Sequence, residues 1–290
     1  MVKQNETHRF TILEKEMLSP GVKRYVVSVG PIARKRQAGQ FVIIRVHEEG
    51  ERIPLTIVDA NPKRETVTLV VQEVGRTTKE MGLLRVGDNL MDVVGPLGNP
   101  TPIEYFGHVV CIGGGVGTAV VYPIAKALKE AGNHVTCIIG ARTQDLIILE
   151  EELTAICDDV ITSTDDGSYG IHGLVTDVLQ KLINDGQSIN VVYAVGPLPM
   201  MAAVSDLTKP YGIRTFVSLN PIMVDGTGMC GGCRVRVGGK TKFACVDGPE
   251  FDGHQVDFRE LHRRQKMYIP QERESLKKFE EEHTCRLETL

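Results

Sequence analysis

No run of apolar residues in the chain reaches the roughly 18 that a membrane-spanning helix needs. The opening stretch, MVKQNETHRF, has no apolar core of the kind a secretory signal carries. The expected compartment is therefore the cytoplasm. Positive charge is not in excess: 33 basic residues face 37 acidic ones, a formal net charge of -4. A nucleic-acid partner has no electrostatic support from such a balance. Cysteine is too sparse and scattered, at seven in 290 residues, for a disulfide scaffold. No internal repeat is present. What remains, 42% hydrophobic and 24% charged, is a globular composition. Length predicts about two domains able to bury a real core.

Residues 1–102 alternate short β-branched runs (RYVVSVG, QFVIIRVH, LTIVDA, TVTLVVQEV) with Gly/Pro turns. Evenly spaced short strands predict an antiparallel sandwich or barrel. After Pro102 the pattern changes. HVVCIGGG is a strand running into glycines, and TAVVYPIAKALKEAGN has helical spacing and stops at Gly132. HVTCIIGAR, DVITSTDD and NVVYAVGP read as further strands with helices between them. Strand–helix alternation at this spacing predicts an α/β domain over residues 103–216, a parallel sheet with helices on both faces. Residues 217–258 are short, glycine-rich and strand-like. Residues 259–290 are dominated by charge (RELHRRQKM, QERESLKKFEEEH) and read as a solvated helical tail or a segment that docks on a partner chain.

CIGGGVGTA follows a strand and opens a helix, bringing together Gly114, Gly115, Val116, Gly117 and Thr118. Glycines there let the backbone approach a pyrophosphate, and a helix N-terminus offers free N–H groups. The motif departs from G-x-G-x-x-G, because Thr118 stands at the last glycine position; a plain glycine-rich turn is the bland alternative. In VVYAVGPLPMM, Gly196, Pro197 and Met200 fall at the carboxyl end of another strand, where open α/β sheets bind ligands. Asp165 and Asp166 end a third. Carboxylates near an adenosine ribose repel a 2′-phosphate and favour NAD over NADP, whereas Arg142 argues the other way. The balance favours NAD.

Cys111 and Cys137 lie in apolar, strand-like runs and read as core residues, as does Cys157, since free cysteine packs as a small hydrophobe. Cys285 sits in the charged tail and is unassigned. Cys230, Cys233 and Cys245 form the group with a purpose. With Asp225 the spacing is D-x4-C-x2-C-x11-C, the plant-type [2Fe–2S] spacing with Asp in place of the first Cys. Gly226, Gly228, Gly231 and Gly232 let such a loop wrap tightly. A zinc site with Asp225 or His254 as fourth ligand is the alternative, although structural zinc sites are mostly Cys₄, Cys₃His or Cys₂His₂.

The ordered segments AGQFV (38–42), RIPLTI (52–57), GRTT (75–78) and GPLG (95–98) resemble the ferredoxin–NADP⁺ reductase superfamily. That resemblance implies an FAD-binding β-barrel over 1–102, an NAD-binding domain over 103–216 and a [2Fe–2S] module over 217–258. It implies that Arg52, Pro54, Leu55 and Thr56 lie along the flavin, with aliphatic groups where an aromatic is usual. It implies that Gly75, Thr77 and Thr78 hold the pyrophosphate. Val195 stands where the family often has cysteine before Gly-Pro, and Val120 where it has proline. No side chain is expected to act as general acid or base, because hydride transfer to a flavin needs positioning.

The order of modules is similar to the electron-transfer subunits of dihydroorotate dehydrogenase. SLNPIMVDGTGMCGGCRV, with its Asp, is similar to the small subunits of NADH-dependent reduced ferredoxin:NADP⁺ oxidoreductases, also described as sulfide dehydrogenases. These resemblances imply a heterodimer with a larger FAD/[4Fe–4S] subunit. In it, this chain's FAD and [2Fe–2S] cluster exchange electrons with NAD(H), in flavin-based bifurcation among NADPH, ferredoxin and NAD⁺. A dihydroorotate dehydrogenase subunit, and a zinc-stabilised nucleotide-binding regulator, are the alternatives.

Overall fold

The computed structural model describes residues 10–287. Residues 1–9 and 288–290, the outer ends of the first and last expected segments, lie outside the described residues, as does the side chain of Cys285.

The first hundred residues form short antiparallel strands, as their alternation predicts: β1 (Phe10–Ser19), β2 (Val22–Ser28), β3 (Phe41–Arg45), β4 (Arg52–Thr56), β5 (Asp59–Asn61), β6 (Thr66–Gln72), β7 (Asn89–Leu90) and β8 (Asp92–Leu97). They pair as two sheets, β5-β6-β2-β1-β7 and β4-β3-β8, rather than as one closed ladder. The expected barrel is thus two sheets wrapped around a common core that includes Ile12, Tyr25, Val27 and Leu69.

β3 is buried along Phe41–Ile44, and its alternation divides those residues between two cores. Val42 and Ile44 point into the core of the first lobe. Phe41 and Ile43 point the other way, into a core they share with the second lobe.

That second lobe is a seven-stranded sheet: β9 (His108–Gly114), β10 (His134–Ala141), β11 (Asp159–Thr164), β12 (Ile171–His172), β13 (Val191–Val195), β14 (Arg214–Ser218) and, further along the chain, the segment Glu250–Asp252. The order is β12-β11-β10-β9-β13-β14 followed by Glu250–Asp252. All neighbours are parallel except the last pair. β9 is buried from Val109 to Gly114, as a central parallel strand covered on both faces must be. Strand order reverses between β9 and β13, so their carboxyl ends flank the crevice where such sheets bind ligands.

The chain from 217 to 258 is not free-standing. β15 (Arg234–Val237) and β16 (Lys240–Phe243) form a hairpin through Gly238 and Gly239, both at positive φ as a tight two-residue turn requires. β17 (Glu250–Asp252) then adds the antiparallel edge to the nucleotide sheet, and Cys233, Val235 and Cys245 enter the same core as Phe41 and Ile43. The charged tail forms helices Phe258–Gln265 and Ile269–Leu287. The second lies against helix Arg76–Leu83 of the first lobe, with Phe279 buried and Lys79 paired to Glu280 at 2.5 Å. Among the described residues no helix is long and apolar enough to cross a membrane.

Phe251 anchors β17: it is 8% exposed and its ring lies where any side chain at Gly248 would fall. Phe251→Ala is expected to cost about 3–5 kcal/mol, the range for deleting a buried ring. Urea denaturation of the purified chain measures it.

Candidate functional site

One cavity of about 1120 Å³ lies between the two lobes. It exceeds the roughly 300–1,000 Å³ of a single-ligand pocket, so there is room for more than one ligand. Its first wall is apolar: Pro54, Leu55 and Thr56 from β4, with Phe41 from β3. Thr78, in the first turn of helix Arg76–Leu83, closes one side. Opposite stand Gly114, Gly115, Val116 and Gly117 after β9, and Gly196, Pro197 and Met200 after β13. Arg142 and Asp165, at the ends of β10 and β11, complete that wall.

The two glycine turns are glycine-rich because they touch. A Cβ on Gly117 would fall 2.3 Å from the Val195 carbonyl oxygen, and one on Gly196 would fall 3.1 Å from Gly114 Cα. Met200 fills the notch between them: its sulfur lies 2.4 Å from where a Cβ on Gly114 would be. Gly115, at φ +55°, has nothing within 4 Å of a built Cβ, so its outer side faces open space. The departure at Thr118 also has a reason. A Cβ on Gly113 would meet Thr118 Cα at 2.6 Å, so the strand supplies the room that the usual glycine on the helix would supply. Thr118 itself is buried and does not line the cavity, and its hydroxyl has no protein partner.

Other expected residues also stand elsewhere. Arg52 is exposed at the far end of β4, opposite Arg45, and is not on the cavity wall. Gly75 is the N-cap of helix Arg76–Leu83. Thr77 is buried and donates to Glu51 Oε2 at 3.1 Å. The Thr78 hydroxyl accepts from the Val74 and Gly75 N–H groups, both at 3.0 Å, so it shapes the helix start as well as lining the cavity. Of the two aspartates only Asp165 lines the cavity. Asp166 accepts from the hydroxyl and N–H of Ser168 at 2.7 and 2.9 Å, which hold its carboxyl below the usual range. Ser218 at the end of β14, Leu219 and Asn220 after it, and Pro249 before β17 line the cavity and were not singled out by motif. For the first three the signal was their place at the carboxyl end of a parallel strand.

The cysteine loop packs directly on β3: a Cβ on Gly226 would meet Ile43 Cγ1 at 2.9 Å and Leu97 Cδ1 at 2.6 Å. Gly226, Gly228 and Gly231 all take positive φ, a conformation side chains resist. Cys233 and Cys245 are buried with their sulfurs 3.2 Å apart. Burial and then the Cys233 thiol push the Cys245 thiol up, while a hydrogen bond from the Gly228 N–H opposes this. Cys230 is exposed, and the Gly232 N–H reaches its sulfur at 3.4 Å. Asp225 accepts from the Thr227 N–H at 2.7 Å and the Cys230 N–H at 2.8 Å, and these bonds, with Thr227 foremost, hold its carboxyl below the usual range. The structure thus brings two of the four expected ligands together, Cys233 at the end of the loop that carries Asp225 and Cys230, and Cys245 in the short turn of helix after β16. Among the described residues no three such side chains converge as a metal-binding group. The set still suits a cluster: paired thiols, backbone N–H groups aimed at sulfur and a tight glycine loop are what iron–sulfur sites are built from. His254, the alternative fourth ligand, is engaged by the Thr208 hydroxyl at 2.9 Å.

Comparison with known proteins agrees with this geometry. Residues 220–257 match the iron-sulfur cluster binding domain of dihydroorotate dehydrogenase B, and residues 111–206 match the oxidoreductase NAD-binding domain. A Thermotoga maritima homologue of the dihydroorotate dehydrogenase B (NAD⁺) electron transfer subunit is 49% identical over 92% of this chain and 94% of its own. The Geobacillus thermodenitrificans electron transfer subunit is 32% identical over 86% and 97%. A solved structure of an NADH-dependent reduced ferredoxin-NADP oxidoreductase, studied for flavin-based electron bifurcation, superposes with a TM-score of 0.89 at 47% identity, covering 95% of this chain and 99% of that one. Phthalate dioxygenase reductase, at 18% identity and a TM-score of 0.60, shares the fold.

Fold and domains define the class: an oxidoreductase subunit of the ferredoxin–NADP⁺ reductase type, with FAD, a [2Fe–2S] cluster and NAD(H) as its cofactors. Within that class, the chain belongs to the family of dihydroorotate dehydrogenase B electron transfer subunits and their homologues. Its relatives are named as subunits, which implies a larger partner.

Gly117→Ala tests the touching turns. The added methyl meets the Val195 carbonyl oxygen and must push the two turns apart. NAD(H) affinity is expected to fall roughly tenfold or more, about 1.4 kcal/mol, with flavin content unchanged. Titration calorimetry alongside a flavin count measures both.

Proposed function

We propose that this chain is the FAD- and [2Fe–2S]-containing subunit of a heterodimer, exchanging hydride with NAD(H) and single electrons with a larger FAD/[4Fe–4S] subunit. The coupled process is flavin-based electron bifurcation among NADPH, ferredoxin and NAD⁺, in the cytoplasm. The observation that carries the reading is the single cavity into which the apolar β4 wall and the paired glycine turns both open, with the cysteine loop packed on the strand beside it.

Bound together, nicotinamide would supply two electrons as a hydride, flavin would take the pair and release them one at a time, and an iron–sulfur cluster would carry each singly. The chain's own residues supply placement. Pro54, Leu55 and Phe41 present apolar surface that excludes water from the transfer path. Gly115 leaves open space at the N-terminal end of helix Gly117–Glu130, where backbone N–H groups and the helix dipole favour a pyrophosphate. Met200 keys the two turns at a fixed spacing. Asp165 repels a ribose 2′-phosphate and selects NAD(H), with Arg142 beside it on the cavity wall. No side chain is required as acid or base, since positioning is what hydride transfer needs.

In the cysteine loop, Cys230, Cys233 and Cys245 would hold the cluster with Asp225 as fourth ligand. The loop N–H groups hold the Asp225 carboxyl below the usual range, and a carboxylate there would keep the charge of the thiolate it replaces. Likeness over nearly the whole chain to the ferredoxin-NADP oxidoreductase structure favours the bifurcating reading. The cluster-domain match favours the second reading, a dihydroorotate dehydrogenase subunit delivering electrons to NAD⁺. Identifying the co-purifying subunit separates them.

The purified protein is expected to be coloured, with oxidised-flavin absorption near roughly 450 nm and iron and sulfide in equal amounts. A colourless, zinc-loaded protein would sink the redox reading. Asp225→Cys is expected to keep the cluster while shifting its EPR g-values and midpoint potential. Unchanged spectra and potential would show that Asp225 is not a ligand.

A further inference from the structure

Glu250 carries a buried carboxyl that nothing above uses. Thr101 donates to its Oε1 at 2.7 Å, and its Oε2 is buried with no partner. Three parts of the chain meet on it. Thr101 belongs to the connection between the lobes, and its N–H is fixed by the Ala38 carbonyl at 2.9 Å. Gly39 approaches so closely that a Cβ there would lie 2.9 Å from Oε1 and 2.2 Å from the Thr101 hydroxyl. Glu250 itself opens β17 and stands directly opposite Ser218 of β14. Opposed residues in an antiparallel pair project to the same face. Ser218 lines the cavity, and so does Pro249, the residue before Glu250. Glu250 itself is not on the cavity wall, but it adjoins two residues that are, at the junction of both lobes and the segment after the cysteine loop.

The groups that face it offer no compensating charge. Cys111 from β9 and Tyr193 from β13 interact with it electrostatically, and burial keeps both neutral. From the connection the Thr101 hydroxyl donates to it, and from the first lobe Gly39 packs close beside it. Among the described residues no lysine, arginine or histidine pairs with it. Burial raises its pKa to about 7, the Thr101 hydrogen bond opposing. A carboxyl so placed ionises at a cost that grows when negative charge arrives nearby.

We propose that Glu250 takes up a proton when electrons enter the cavity between the lobes and releases it when they leave. This rests on the cofactor reading given above. The reductant is NADH, whose hydride brings two electrons. At Glu250 a solvent proton adds to Oε2 and an O–H bond forms; as electrons leave, that bond breaks and the proton returns to solvent. Glu250 is neither oxidised nor reduced. The residue as a whole is only half-buried, so solvent is close. Glu250 is a positioning residue for charge, not a catalytic one.

The test is infrared difference spectroscopy of the holoprotein at neutral pH, oxidised against NADH-reduced. Wild type is expected to gain a buried carboxylic-acid C=O band, downshifted in D₂O, which Glu250→Gln lacks and Glu250→Asp retains at a shifted position. The flavin midpoint potential is expected to fall more steeply with pH in wild type than in Glu250→Gln. A difference spectrum without a Glu250-dependent band, or equal slopes, overturns the proposal.

A second readout needs no cofactor. The folded pKa lies above the unfolded value, so stability is highest where Glu250 is protonated. It falls as pH rises from the ordinary glutamate range, about 4.3, through about 7. Glu250→Gln is expected to lose that decline. If wild type and variant decline alike, the buried-carboxyl premise fails. If the decline is present but flavin and iron are absent, the cofactor reading fails and takes the proposal with it.

Discussion

The structure depends on one strand serving two interiors. β3 sends Val42 and Ile44 into the core of the first lobe and Phe41 and Ile43 into the core shared with the second. A strand with alternate residues in two dry cores has no solvent face, and a one-residue slip would exchange its two sets of contacts. That constraint fixes the lobes against each other more firmly than an ordinary interdomain surface, which is more polar and permits motion. It fixes the cavity too. Phe41 is on its wall, β4 is hydrogen-bonded to β3 along its length, and the cysteine loop rests on Ile43 through Gly226. Three regions that must lie within electron-transfer reach are indexed to five consecutive residues.

Much of this is legible in the sequence where burial dictates composition. HVVCIGGG reads as a central strand because residues buried on both faces lose their alternation. GGGVG and VGP read as ligand-side turns because glycine lets two backbones pack where an added Cβ would come within about 3 Å of the other turn, and their place after strands says which end of the sheet they occupy. The cysteine spacing is legible because ligand geometry tolerates few alternatives. The rest is hidden for physical reasons. β17 is three residues long, and EFD carries no strand-like pattern; it joins the sheet because Phe251 has a core to enter. Arg52 resembles a phosphate ligand only by motif, and strand pairing with Arg45 carries it to the wrong end of β4. Asp165 and Asp166 are equivalent in sequence, yet a turn through Ser168 removes the second from the cavity.

Two ionisable groups, Asp225 and Glu250, are treated in opposite ways: the first is held by backbone N–H groups, the second is left with one oxygen unpartnered. Asp225 accepts two loop N–H groups, and the thiols receive N–H contacts from Gly228 and Gly232. Such dipoles stabilise negative charge without a counter-ion, so charge can change there without a side chain moving. Glu250 is the opposite case, with one hydroxyl partner and one orphan oxygen. Fixed dipoles around the cysteines and a bare carboxyl next to two residues of the cavity wall divide the interior into a region prepared for negative charge and one that resists it.

The chain order of these contacts also bears on how the protein is made. The eight strands before residue 100 find all their partners among themselves, so the first lobe can assemble while the rest is still being synthesised. The second sheet also pairs only within itself, but it closes much later in the chain. Its edge strand ends at Asp252, and helix Ile269–Leu287 returns to helix Arg76–Leu83, formed some two hundred residues earlier. Pro249 is the last wall residue of the cavity in chain order, so that wall closes only after the first lobe and six of the seven strands of the second sheet have been laid down.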